Sequence, residues 1–209
     1  PSSSSAASDV YKRQVSLLIL GTILWFSFRS KRDTGYVLGL TVLGIGATYG
    51  TSGALTAIGV PMTFNAAMNS IPVLLLAIGV DYGLHVVKRV REEYQVISSS
   101  TDRSVESVGA MDQTSRRAAI LRGTKFTSIA LLIAIFTDMV GFLSFRLSSQ
   151  EFLVVFGTVI AIGLFYIYVL SITALPALMA LFPPKDMPIK KAVKLSLIHI
   201  SEPTRPSII

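Results

Sequence analysis

Five apolar runs set the plan of the chain, at about 15–29, 36–60, 68–87, 126–145 and 152–182. A helix needs roughly 20 apolar residues to cross a bilayer. The last four runs reach that length, and the first falls short of it, as a span cut at its start would. Between the third and fourth runs lies the one long polar stretch, 88–125, read as a cytoplasmic loop with an exposed Ser/Thr segment at 98–101. Within it, 112–122 is either an amphipathic helix lying on the membrane surface, with Arg116, Arg117 and Arg122 toward headgroups, or an ordinary basic loop. The pattern predicts an all-α fold, a polytopic membrane helical bundle of five transmembrane helices occupying 15–185.

Details inside the runs refine this. The second is rich in glycine, and Gly46 and Gly50 form a GxxxG whose simplest use is helix packing. In the third, Pro72 stands in the first turns, where a missing N–H does least harm. Gly79 and Gly83 form another GxxxG there, expected to bring a neighbouring helix close to Asp81 and Tyr82. Pro176, late in the fifth run, predicts a local bend, and Pro183-Pro184 end that run.

Composition agrees: 51% of the 209 residues are hydrophobic and 15% charged, with a mean hydropathy of +0.62. Soluble domains carry about 25% charged residues. A net charge of +7 raises the question of nucleic acid. However, the basic residues flank apolar runs instead of interleaving with aromatics, so nucleic acid is not an expected partner. With 29–35, 86–125 and 183–194 on one side of the membrane, that side holds fifteen of the 19 Lys and Arg, while the opposite connections hold only Arg146. The positive-inside rule makes the first side cytoplasmic, in a cell membrane crossed several times. Five spans then put the N-terminal edge outside. There is no cysteine, and no motif of a soluble enzyme, cofactor site or metal site.

The ends differ from the middle. Residues 1–14 and 195–209 match neither its composition nor its periodicity, and resemble translated sequencing-adapter read-through. The expectation is that both are non-native tails on a fragment, the second ending a cytoplasmic segment 186–209. The alternative is a Ser-rich tail and a short polar C-terminus.

Candidate chemistry gathers in the third and fourth runs. An ionisable side chain at membrane depth is expensive and by default functional. Asp81 and His85 are four residues apart and share a helix face. At 1.5 Å per residue, Asp81 lies roughly 9 Å inside the cytoplasmic boundary and Asp138 roughly 18 Å. Two acids and a histidine at staggered depths form a candidate proton relay, with the Tyr82 hydroxyl able to orient a carboxylate. Each residue also has a structural reading: Asp81 as a hydrogen-bonding acid between helices, Asp138 satisfied by Thr137, His85 facing headgroups, and Tyr82 as a packing aromatic.

The ordered segments IPVLLLAIGVDYGLH, KRVREEY, TKFTSIALLIAIFTDMVGFLSF, FGTVIAIGL and LPALMALF resemble the resistance–nodulation–division (RND) superfamily. Within it the chain is most similar to the MMPL-type exporters, relatives of the sterol-sensing domains of Patched and Niemann–Pick proteins. The resemblance implies one six-helix half of a duplicated transporter, with the five runs equivalent to its helices 2–6. It implies that Asp81 and Tyr82 are the Asp–Tyr pair that couples proton flux to export, with Gly79 and Gly83 flanking them. Gly141-Phe142 matches the glycine–phenylalanine of the fifth helix; Asp138 is not regularly expected there. The implied function is proton-driven secondary export of lipids or other hydrophobic molecules, without enzymatic activity or cofactor. Alternatives are a sterol-sensing-type lipid-binding or regulatory domain and a protein-translocation accessory subunit. The implied partners are the lipid bilayer, a hydrophobic or lipid substrate, and a second half with its own relay acid, with a homo-oligomer left open.

Overall fold

A computed structural model describes residues 31–62, 66–101 and 107–183, with positions 11, 14, 15, 18, 19 and 22 before them. The described elements are helical: α1 (Lys31–Ala57), α2 (Ile71–Thr101), α3 (Gln113–Leu143), α4 (Glu151–Ile172) and α5 (Ala174–Leu181). Short 3-10 turns at Ala66–Ser70, Val108–Ala110 and Ser144–Leu147 precede α2, precede α3 and follow α3 respectively. Among the described residues, four stretches are long and apolar enough to cross a membrane: Arg32–Ala57, Met68–Ser99, Gln113–Leu147 and Glu151–Leu181. They correspond to the last four apolar runs. The remaining expected span, 15–29, and the expected tail 1–14 lie largely outside the described residues, and the expected tail 195–209 wholly so.

Helix ends follow local chemistry. α1 stops because Gly59 takes φ +92, a conformation costly to residues with a Cβ. Its N–H bonds the Thr56 carbonyl and that of Val60 bonds Leu55, the paired closure of a Schellman motif. α3 starts at Asp112, whose carboxylate accepts from the Thr114 N–H at 3.0 Å. Hydrogen bonds from Thr114 hold the Asp112 carboxyl below its ordinary range, so that it is charged at the positive end of the helix dipole. The last run is bent as expected: the helix is interrupted at Thr173, because Pro176 has no N–H to give the Ile172 carbonyl.

The segment 88–125 requires a correction. It is mostly not a loop: α2 continues to Thr101 and α3 begins at Gln113. The residues 112–122 likewise continue directly into the span and do not lie apart on the surface. At 1.5 Å per residue, the 31 residues of α2 measure about 46 Å against a hydrocarbon core of about 30 Å. The excess emerges as a helical hairpin with its own buried residues, including Val90, Tyr94, Ile97, Val108, Met111 and Ile120.

α2 and α4 form the centre, each packed against the other and against α1 and α3. Large apolar side chains such as Leu43, Ile133 and Phe136 point outward, as suits helices solvated by lipid. Several Thr and Ser hydroxyls in the bundle are satisfied within their own helices. Thr41, Thr48, Ser52 and Thr127 each donate to the carbonyl four residues back.

Glycines set the closest approaches. A Cβ on Gly83 would lie 2.5 Å from a Val37 methyl, and one on Gly79 2.6 Å from the Thr41 methyl, so α1 crosses α2 at this GxxxG. By contrast, a Cβ on Gly46 or Gly50 would meet nothing within 4 Å among the described residues. The tight contacts missed by motif reading are at Gly123 against Val90, Gly157 against the Phe142 carbonyl and Gly163 against Leu75.

Candidate functional site

The membrane part of α2 has two faces. Val80, Tyr82, Gly83, Val86 and Val87 turn into the bundle, whereas Ala77, Asp81, His85 and Lys88 lie on an exposed stripe. A period of 3.6 residues requires this, since Asp81 and His85 share one side while Tyr82 falls about 100° away from Asp81. The Asp81 and His85 side chains are 62% and 60% exposed, and Nε2 of His85 is 3.7 Å from Oδ1 of Asp81. Gly79 and Gly83 face α1 on roughly the opposite side, so the helix they admit is not the one that would cover Asp81.

Tyr82 points inward, is 4% exposed, and donates its hydroxyl to Oδ2 of Asp138 at 3.0 Å. Asp138 is half-buried, on the same stripe of α3 as the buried Thr127, Leu131 and Ile135. The Thr137 hydroxyl, the partner that the sequence offered Asp138, donates instead to the Ile133 carbonyl at 3.0 Å. Thus the four residues divide into two contacts, Asp81 with His85 on the open face and Tyr82 with Asp138 inside.

A second polar group lies at the end of the bundle where α1 begins and α2 runs on past the membrane part, and the sequence reading missed it. Asp33, 1% exposed, forms an ion pair with Arg91 across the α1–α2 boundary. Arg89 bridges Glu92 at 2.9 Å and the buried Glu93 at 3.1 Å, and its guanidinium lies 5.4 Å from the centre of the Phe126 ring. The available signal was the spacing of Val90, Tyr94 and Ile97, which continues a helical apolar face through the charged segment. Among the described residues, no three His, Asp or Glu side chains converge as a metal site.

The sequence profile of the MMPL family matches residues 3–196. A putative membrane protein of Methanocaldococcus jannaschii is 29% identical over 69% of this chain and 32% of its own length. The hopanoid transporter HpnN of Rhodopseudomonas palustris is 25% identical over 93% of this chain, and that of Burkholderia multivorans 26% over 81%. The chain spans only 20% and 17% of those two relatives. No solved structure matches. The apolar helices, the acid–tyrosine pair in α2 and the profile match over most of the length lead to one assignment: the chain belongs to the MMPL family of the RND superfamily.

Proposed function

We propose that this chain is the helix 2–6 portion of one half of a proton-motive-force-driven exporter of lipids or other hydrophobic molecules. Asp81 is the proton-carrying acid, and Tyr82, His85 and Asp138 complete its relay. One observation carries this reading: Asp81 with His85 and Asp138 with Tyr82 form two polar contacts inside the membrane parts of α2 and α3. α1 has no charged residue after Asp33, and α4 has none after Glu151. Facing lipid, Asp81 and His85 would cost several kcal/mol. Their exposed stripe therefore suits a second transporter half bearing its own relay acid. The names of the two bacterial relatives support a membrane lipid as cargo.

The test uses the full-length protein containing this segment, reconstituted in vesicles with an imposed pH gradient and a fluorescent sterol analogue as cargo. Asp81→Asn is expected to lower proton-driven export at least tenfold, a loss of about 1.4 kcal/mol or more in the transport step. Export at the unsubstituted rate would sink the relay. Sterol binding retained by a protein that never exports would instead favour a sterol-sensing-type domain.

A further inference from the structure

Of the three arginines within 112–122, Arg122 stands nearest to where the membrane begins. The apolar runs end at Val87 on α2 and resume at Phe126 on α3, so Lys88 and Lys125 are the residues that meet the boundary. Arg122 lies three residues beyond Lys125, about 4.5 Å along the helix. The Arg89 guanidinium, 5.4 Å from the centre of the Phe126 ring, sets the two helices at one level there. Lys88, Arg122 and Lys125 are partly or largely exposed. The ion pairs among the described residues take His85, Arg89 and Arg91 as their cations, and these three enter none. Arg89 engages both neighbouring acids, Glu92 and Glu93. Four cations (Lys88, Arg89, Arg122, Lys125) against those two acids leave this level positive.

Below Arg122, the same face of α3 carries Phe126, Ile129, Ile133 and Phe136, all exposed, as a spacing of three or four residues requires. Unpaired cations at the boundary above a column of apolar side chains have the layout of one molecule, a lipid with a negative headgroup. We infer that the outer face of α3 from Arg122 to Phe136, with Lys88 at the same level of α2, binds an anionic phospholipid. Its phosphodiester sits on Arg122 and Lys125, and an acyl chain lies along the apolar column. The planar guanidinium of Arg122 can give two N–H groups to two phosphate oxygens, and Lys125 adds a mobile point charge. The apolar stems of both side chains lie against the column while their charged ends reach the headgroup. A lipid seated here fixes the depth of α3, the helix that brings Asp138 to Tyr82. The inference goes beyond the relay and does not depend on it.

The test uses the full-length protein containing this segment, purified in detergent, with Ile129→Trp as a local reporter at an exposed position of the column. Quenching of that tryptophan by brominated phosphatidylglycerol is compared with quenching by brominated phosphatidylcholine, each corrected by the parent protein without the reporter. Phosphatidylglycerol is expected to bind at least about tenfold more tightly, since each cation beside an anionic lipid surface contributes about fivefold. Arg122→Gln combined with Lys125→Gln should bring the two lipids level. Arg117→Gln, exposed but five residues further from the apolar run than Arg122, should leave the preference unchanged. Equal binding of the two lipids, or a preference that survives the double substitution, overturns the inference. So does an equal loss in Arg117→Gln, which would mean diffuse surface charge and no site. Displacement of the lipid by inorganic phosphate at constant ionic strength would also overturn it, by making the ligand a free anion.

Discussion

A carboxylate as far out of water as Asp33 keeps its charge only beside a cation, and Arg91 provides one across the α1–α2 boundary. Breaking a buried pair withdraws a counter-charge from Asp33, so Arg91→Ala is expected to destabilise the bundle, by up to about 3–5 kcal/mol. Unfolding in detergent would measure this, and a change below about 1 kcal/mol would place the pair among ordinary surface ion pairs. In sequence, Arg91 reads as one of several basic residues fixing orientation. Its partner lies 58 positions away, and no local pattern joins the two. Thr137 illustrates the same limit, because its nearness to Asp138 in sequence says nothing of the closer Ile133 carbonyl. By contrast, the Asp81–His85 contact was legible, since four residues make one helical turn whatever the tertiary context.

At the scale of elements, apolar run length located the four described spans but not the ends of α2 and α3. Hydropathy marks the part of a helix that lies in lipid, while the backbone hydrogen-bond ladder runs on until a cap or an unfavourable residue stops it. Asp112 is such a cap. Glycine motifs proved similarly partial, because a GxxxG states that one face is smooth and not that another helix meets it. Accordingly, Gly123→Ala and Gly157→Ala are each expected to cost about 1–3 kcal/mol. Their new methyls would meet backbone, at 2.8 Å from the Val90 Cα and closer still to the Phe142 carbonyl oxygen. Gly46→Ala and Gly50→Ala meet nothing among the described residues and should be neutral or stabilising by up to about 1 kcal/mol. Comparing the four melting temperatures separates the classes, and equal losses at all four would mean that the Gly46 and Gly50 face is packed.

For the whole molecule, the asymmetry of Lys and Arg predicts which ends face the cytoplasm. The chain has no cysteine, so single cysteines can report sidedness. A cysteine at Ser99, exposed near the end of α2, should react with an impermeant maleimide only from the cytoplasmic side. One at Leu147, 91% exposed after α3, should react from outside. The reverse pattern would overturn the orientation. The sequence by itself determined the membrane class, the described spans and the family, because hydropathy, charge asymmetry and motif order are properties of local chain composition. Only the tertiary structure decided which acid holds the tyrosine, which glycines touch and where Arg91 finds its counter-charge. Those depend on the rotation and register of helices against one another, set by packing among residues far apart in the chain.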